Sequence, residues 1–264
     1  MRSIMSGPVL RSWGHVRPTE SAFILAAHLF LSVFPLLLVM SLFTPRIVAG
    51  IGEVMRERLG LSGPSGDAVR ELIGGTEASG HGWVTVIGLL MALVSATSFT
   101  RALQRVYERS WELPPLGLKG SWRGLVWLLG LFAYLEILYL SVSMTSGAAF
   151  LKPLLVLVCA FLLWWWTPYV LLGGRVRWRS LAPTGVMSAV AVVILGVVSS
   201  VYMPIVLKGN EGKYGAIGVV FALESWLAVL CGALVICAMV GAVGARLDSP
   251  LGRLVRGCDD WRRR

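Results

Sequence analysis

The stretch SAFILAAHLFLSVFPLLLVMSLF, residues 21–43, carries no formally charged side chain over 23 residues. A helix needs about 20 largely apolar residues to cross a bilayer's hydrocarbon core. This stretch is long enough to be one such span. The rest of the chain decides. Of 264 residues, 56% are hydrophobic and only 14% charged, and the mean hydropathy is +0.75. Soluble domains average about 45–50% apolar and about 25% charged. Five more apolar stretches follow: Trp83–Phe99, Gly124–Met144, Pro153–Gly173, Leu181–Leu207 and Tyr214–Ala245. The third stretch in the chain contains one acid, Glu136, and the last contains Glu224. The expected fold is all-α, a polytopic membrane protein with a six-helix transmembrane bundle. Residues 21–245 form that domain, between a cytoplasmic tail at 1–20 and a basic cytoplasmic tail at 246–264.

Charge sets the orientation. The formal net charge is +10. With both termini inside, inner segments hold 17 basic residues and outer segments 7, as the positive-inside rule requires. Arginine supplies 20 of the 24 basic residues, which points to a GC-rich bacterial genome. The first outer loop, Thr44–Gly82, is the exception, with five acids against four arginines. In AGIGEVMRERLGL, Ile51, Val54 and Met55 share one helical face. DAVRELIGG opens on Asp67, an N-cap residue type, and shows Val69, Leu72 and Ile73. One or two short amphipathic helices are expected there, with LSGPSG as the turn.

RALQRVYERSWELPP, Arg101–Pro115, puts Arg101, Arg105 and Arg109 on one helical face and Leu103, Val106, Tyr107 and Trp111 on the other. Such a helix can grip nucleic acid or lie along a membrane. An RNA-binding module needs an aromatic sheet or a GXXG loop, and neither is visible. The membrane reading rests the apolar face in the headgroup boundary and turns the arginines to anionic lipid. Trp111, Trp122, Trp127 and Trp178 are expected in the same interfacial belt.

Catalytic chemistry is hard to find. The histidines are His15, His28 and His81, and the aspartates are Asp67, Asp248, Asp259 and Asp260. They are too scattered for a shared metal. Cys159, Cys231, Cys237 and Cys258 show no disulfide or zinc spacing and read as small core residues. GKYGAIG, residues 212–218, lacks the Lys-Ser/Thr of a phosphate loop and reads as a turn. No ATP-binding motif is present. The expectation is a non-enzyme with no cofactor and no metal.

The intramembrane acids are different, because an ionisable residue inside a span is costly and marks function by default. Glu136, Tyr139 and Ser143 share a stripe that could wall a polar path with Glu224; the alternative is that each acid merely bonds a neighbouring helix. His28 reads as a hydrogen-bonded packing residue. Pro35, Pro168 and Pro204 would loosen their helices. Gly185, Ala189, Gly196 and Ser200 give a small-residue face for close helix contact. LLWWWTP, Leu162–Pro168, reads as lipid-facing or interfacial bulk.

Three blocks resemble the YihY/BrkB family of bacterial inner-membrane proteins, once labelled ribonuclease BN: AAHLFLSVFPLLLVM (Ala26–Met40), RALQRVYERSWELP (Arg101–Pro114) and YGAIGVVFALESWLAVLCGALV (Tyr214–Val235). Two positions depart from the pattern. Gly241-Ala242-Val243 stands where the family often has Gly-Ala-Glu, and Glu224 stands where relatives are usually apolar. The resemblance implies six transmembrane helices and an inner-membrane address. It also implies a link to lipid or small-solute movement, with the nuclease label a misassignment. The leading expectation is movement of an amphiphilic or small polar substrate across or between leaflets. The alternatives are a scaffold for envelope integrity and, more distantly, a membrane-tethered hydrolase. Expected partners are anionic membrane lipids, with a second copy or another membrane protein, and no nucleic acid.

The orientation has a direct check. In sealed right-side-out vesicles, a cysteine placed at Ser65 is expected to react with an impermeant maleimide, and one at Arg177 only after permeabilisation. Labelling of Arg177→Cys from outside would reverse the topology.

Overall fold

The computed structural model describes residues 17–43, 82–144 and 151–246, and among them all regular structure is helical. The expected amphipathic helices of residues 44–81 and both expected tails, apart from residues 17–20 and Arg246, lie outside the described residues. Five α-helices are seen: α1 (Pro18–Phe43), α2 (Gly82–Ser110), α3 (Ser121–Met144), α4 (Leu151–Leu171) and α5 (Ala182–Arg246). Two 3-10 turns, Gly117–Gly120 and Trp178–Leu181, lead into α3 and α5. Four segments are long and apolar enough to cross a membrane: Trp122–Ser141, Leu154–Leu171, Trp178–Leu207 and Ile217–Arg246.

The last helix is two rods. At Gly215 the backbone leaves helical space, with φ 60° and ψ −145°. That conformation is close to glycine-only, so the expected turn in GKYGAIG narrows to one residue. The arms, 182–214 and 216–246, fold back on each other. Met203 and Leu207 pack with Val219 and Ala222 beside the break, and the rings of Tyr202 and Trp226 lie 5.9 Å apart. At the far end Gly241 presses on Thr184 so closely that a Cβ would sit 2.7 Å from the Thr184 Cα.

Helix ends explain the connections. α2 stops in a Schellman motif: Leu113 N–H bonds the Glu108 carbonyl (2.9 Å), Glu112 N–H bonds that of Arg109 (3.2 Å), and Glu112 takes a left-handed φ of 52°. Pro114 and Pro115 then forbid continuation. α4 ends the same way, Gly174 N–H on Tyr169 O (3.1 Å) and Gly173 N–H on Val170 O (3.0 Å), with Gly173 at φ 66°. The Arg123 guanidinium lies against Gly173.

The core gathers where α2 and α4 end and the second arm of α5 finishes. It joins Leu25 and Ala26 of α1, Leu103, Val106 and Tyr107 of α2, Leu171, Leu172 and Leu181, and Cys231, Val235 and Met239 of α5. This corrects the interfacial placement of Arg101–Trp111. The segment is the last part of a 29-residue helix, and its apolar face is buried in protein, with Leu103 and Tyr107 each 1% exposed. The face that packs in a headgroup layer and the face that packs in a core have the same spacing, and six converging ends offered the core.

The tryptophans are corrected likewise. Trp127 is buried and donates to Thr167 Oγ1 at 3.0 Å. Trp165 stacks on Trp178, donates to its carbonyl at 2.9 Å, and packs with Trp166 against the core. The bulk of LLWWWTP therefore joins helices. Trp122, exposed, keeps an outward place. In the small-residue face, Gly185 meets the Trp165 backbone and Ala189 is buried, while Gly196 touches nothing. The close contact covers only the start of the first arm.

Two glycines three residues apart test this packing. Gly241→Ala is expected to lower stability by about 1–3 kcal/mol, an overpacking cost against backbone. Gly244→Ala, with open space at its Cβ, is expected to be neutral or to gain up to about 1 kcal/mol from helix propensity. Thermal unfolding in one detergent compares them.

Candidate functional site

Two polar places stand out, one at the packed end and one inside the apolar rods. At the packed end Glu108, with a side chain 5% exposed, receives three donors on one oxygen: Gln104 Nε2 (2.9 Å), the Leu116 N–H (3.0 Å) and Arg175 Nη2 (2.9 Å). Arg175 spends its other edges on backbone, Nη1 on Pro114 O (2.7 Å) and Nε on Leu172 O (3.0 Å). A buried charge is tolerated when it is paired and hydrogen-bonded, and here one carboxylate oxygen carries both an ion pair and two further donors. Arg246 repeats the pattern next door. Its Nη1 meets Glu112 Oε1 at 2.6 Å, its Nη2 caps the Ser110 carbonyl at 2.9 Å, and its guanidinium lies over the Trp111 ring. The left-handed Glu112, which costs about 1–2 kcal/mol against glycine, thus supplies a carboxylate that glycine could not. Beside this network, burial and the neighbouring Cys237 push the Tyr107 phenol well above its usual range, so it stays neutral.

Sequence reading missed this network. The available signal was the pair Gln104 and Glu108, polar residues at i,i+4 that adjoin Leu103 and Tyr107 and not only the arginines. Arg101, Arg105 and Arg109 themselves are exposed on the opposite face of α2, as their spacing required.

Inside the rods, Glu224 lies on the stripe that continues through Cys231, Val235, Ala238 and Ala242, all buried. It therefore points into the bundle. Its Oε2 is shut off from solvent and has no hydrogen-bond partner. Gly232 packs near Ala22 of α1. Eight residues further along an antiparallel pair, about 12 Å, Glu224 comes level with His28 and Ser32. Ser32 is 4% exposed, and its hydroxyl reaches both His28 O (2.6 Å) and Ser95 O (3.0 Å), joining α1 to α2. His28 Nδ1 lies 2.7 Å from Ile24 O, a bond within its own helix. Two more buried hydroxyls without partners, Thr184 Oγ1 and Ser188 Oγ, sit at the other end of the hairpin.

Glu136 does not join Glu224. The face of α3 that packs on its neighbours carries Gly124 against Thr100, Trp127 against Thr167, and Gly130 against Trp166. Glu136 is nine residues after Trp127, two and a half turns, on the opposite side. It is half-buried among exposed Leu129, Ile137 and Leu140, and Tyr139 on the same side is 41% exposed. The side chain of Ser143 lies outside the described residues. α3 packs chiefly on α2 and α4. Among the described residues, Glu136 and Tyr139 lie on the side of α3 opposite the one that packs on α2 and α4, apart from Glu224. Spacing showed that the residues of the stripe share a face, but the rotation of α3 is set by Trp127 and its bond to Thr167. No group of three or more His, Cys, Asp or Glu residues that could hold a metal ion occurs among the described residues.

A family model described as Virulence factor BrkB matches residues 9–252. No curated protein and no solved structure matches the chain.

The packed-end network has a definite energetic signature. Glu108→Ala is expected to cost roughly 3 kcal/mol, because it strands a largely buried guanidinium. Arg175→Ala should cost about as much, and the double substitution far less than the sum. Arg105→Gln, on the exposed face, should stay within about 0.5 kcal/mol. Additive losses at Glu108 and Arg175 in denaturation curves would show that the pair is not coupled.

Proposed function

The chain belongs to the virulence factor BrkB family, and from that premise we propose that it is a multi-pass protein of the bacterial cytoplasmic membrane that moves an amphiphilic or small polar substrate across the bilayer or between its leaflets. The observation that carries the proposal is Glu224: a carboxyl aimed into the bundle from an otherwise apolar stripe, with one oxygen unpaired. Groups of this kind are expensive in hydrocarbon and typically mark a path for a polar group.

The membrane arrangement follows the same reading. The four segments able to cross are joined by α1 and α2 to make six spans, with both termini on the cytoplasmic side. Support comes from the exposed Arg101, Arg105 and Arg109 at the packed end, where the positive-inside rule wants them. These arginines are proposed to contact anionic headgroups, each contributing about 1 kcal/mol near such a surface. The polar path runs by Glu224, level with Ser32; Glu136, Tyr139 and Ser143 belong to it only if another surface closes over α3. No catalytic step, metal or cofactor enters the proposal.

Reconstituted protein tests it. In liposomes carrying a panel of labelled lipids and small solutes, the wild-type protein is expected to accelerate exchange of at least one species. Glu224→Gln keeps the shape and a hydrogen-bonding head but cannot ionise. It is expected to lower that rate at least tenfold while the protein still inserts and stays monodisperse. Transport at the wild-type rate in Glu224→Gln would remove the residue from the path. An inactive wild-type protein whose Gln variant is merely less stable would favour the scaffold.

A further inference from the structure

The carboxyl of Glu224 lacks a donor. Its buried Oε2 has no hydrogen-bond partner, and hydroxyls at its level have their protons committed to backbone. The levels follow from two contacts. Gly232 packs near Ala22, which puts Glu224 opposite the turn of α1 that holds Ser32. The Ser32 hydroxyl reaches the Ser95 carbonyl, which brings the α2 run SATSFT, Ser95–Thr100, to the same height within about one turn. Ser32 donates to His28 O and Ser95 O. Thr97 and Ser98 both donate to Val94 O, at 2.9 and 2.8 Å. Ser225, next to Glu224 in α5, donates to Phe221 O at 2.8 Å. A hydroxyl has one proton and two lone pairs. With the proton held by a carbonyl, each of these oxygens is left as an acceptor.

We infer that the substrate handled at Glu224 is an amphiphile whose polar group is a primary ammonium. The inference rests on the transport reading and names the chemistry of its substrate. A carboxyl at a level where hydroxyls present lone pairs selects a group that donates. A primary ammonium brings three N–H donors. It also brings the positive charge that a carboxylate in an apolar stripe needs for pairing. A phosphate or carboxylate headgroup brings acceptors to acceptors and a negative charge to Glu224. A trimethylated ammonium has the charge but no donor, so Oε2 stays unbonded. Water can donate, but it leaves the carboxylate's charge unpaired.

Exchange between the leaflets of liposomes measures the preference. Three phospholipids share one labelled tail and differ only in headgroup: ethanolamine, its N-trimethylated form, and glycerol. The full-length wild-type protein is expected to move the ethanolamine lipid at least about tenfold faster than the other two, as loss of a charge-assisted hydrogen bond implies. This comparison depends on no variant folding. Glu224→Asp keeps the carboxylate and is expected to keep the same order at a lower rate. Glu224→Gln is expected to move the three lipids at similar rates. Movement of all three at one rate by the wild-type protein, or a preference for the trimethylated or glycerol headgroup, would overturn the ammonium and leave the transport reading standing. Movement of none of the three would also overturn it; if no other lipid or solute moved either, the transport reading would fall with it.

Discussion

Everything at the packed end depends on one buried charge. Glu108 is held in a largely apolar setting, and a carboxylate there is stable only if it is paired and hydrogen-bonded. Satisfying it draws in Gln104 from its own helix, the Leu116 amide from the segment after the two prolines, and Arg175 from beyond the end of α4. Arg175 in turn holds Pro114 O and Leu172 O. One acid thus fixes how α2 turns into the segment before α3 and how α4 turns into α5. Apolar burial by Leu103, Tyr107, Leu171 and Met239 supplies the driving force here, but it is non-directional. The ion pair gives that burial a register.

The same end shows how helix termination and packing are coupled. Two Schellman ends lie in the two segments that Arg175 ties together. One uses glycine, at Gly173, whose left-handed φ of 66° any other residue would take at a cost. The other uses Glu112, whose strained backbone places its carboxylate on Arg246. The end of the last helix is thereby tied to the end of the second, although more than a hundred residues separate them. The hairpin arms are pinned at both ends, by Gly215 at the break and by the Gly241–Thr184 contact at the packed end. Between those pins the arms differ sharply in environment: buried residues make up 50% of an apolar stretch within Ile217–Arg246 and only 11% of one within Trp178–Leu207. The second arm is the axial member of the bundle, and the first is its skin.

Local and compositional signals were legible in the sequence. Uncharged runs marked where helices form, and the glycines of GKYGAIG marked the break in the last one, because length, hydropathy and backbone freedom are properties of single segments, whereas Pro35, Pro168 and Pro204 lie inside helices that continue past them. The arginine stripe was legible as a face. What the chain did not disclose was rotation. The apolar side of Arg101–Trp111 could have met lipid or protein, and Glu136 could have faced in or out. In a membrane protein both solvents for an apolar surface are apolar, so hydropathy cannot separate core from periphery as it does in water. The residues that decide are the polar and aromatic ones that find specific partners: Trp127 with Thr167, Trp165 with the Trp178 carbonyl, Glu108 with Arg175. Each partner is distant in sequence, and none of these pairings has a short-range signature.

That distinction bears on how a passage through this bundle would work. Glu224 is nine residues from the Gly215 break and 22 from Arg246, so about 14 Å from one end of the arm and about 33 Å from the other. A polar group reaching it travels the shorter distance from the hairpin side. The longer way is closed by the core around Tyr107 and Met239 and by the Glu108 and Arg246 pairs beyond it. On the transport reading, opening the packed end requires those pairs to separate or to move together as a unit. Separation strips the buried Glu108 carboxylate of its charge partner, which is the costly part of that course, since Glu112 is already exposed. Movement as a unit keeps them satisfied but must bend a rod elsewhere, and Gly215 is a break already present in the helix that carries Glu224. The second course leaves the buried charges paired throughout, so the pivot belongs at the glycine and the rigid body is the packed end.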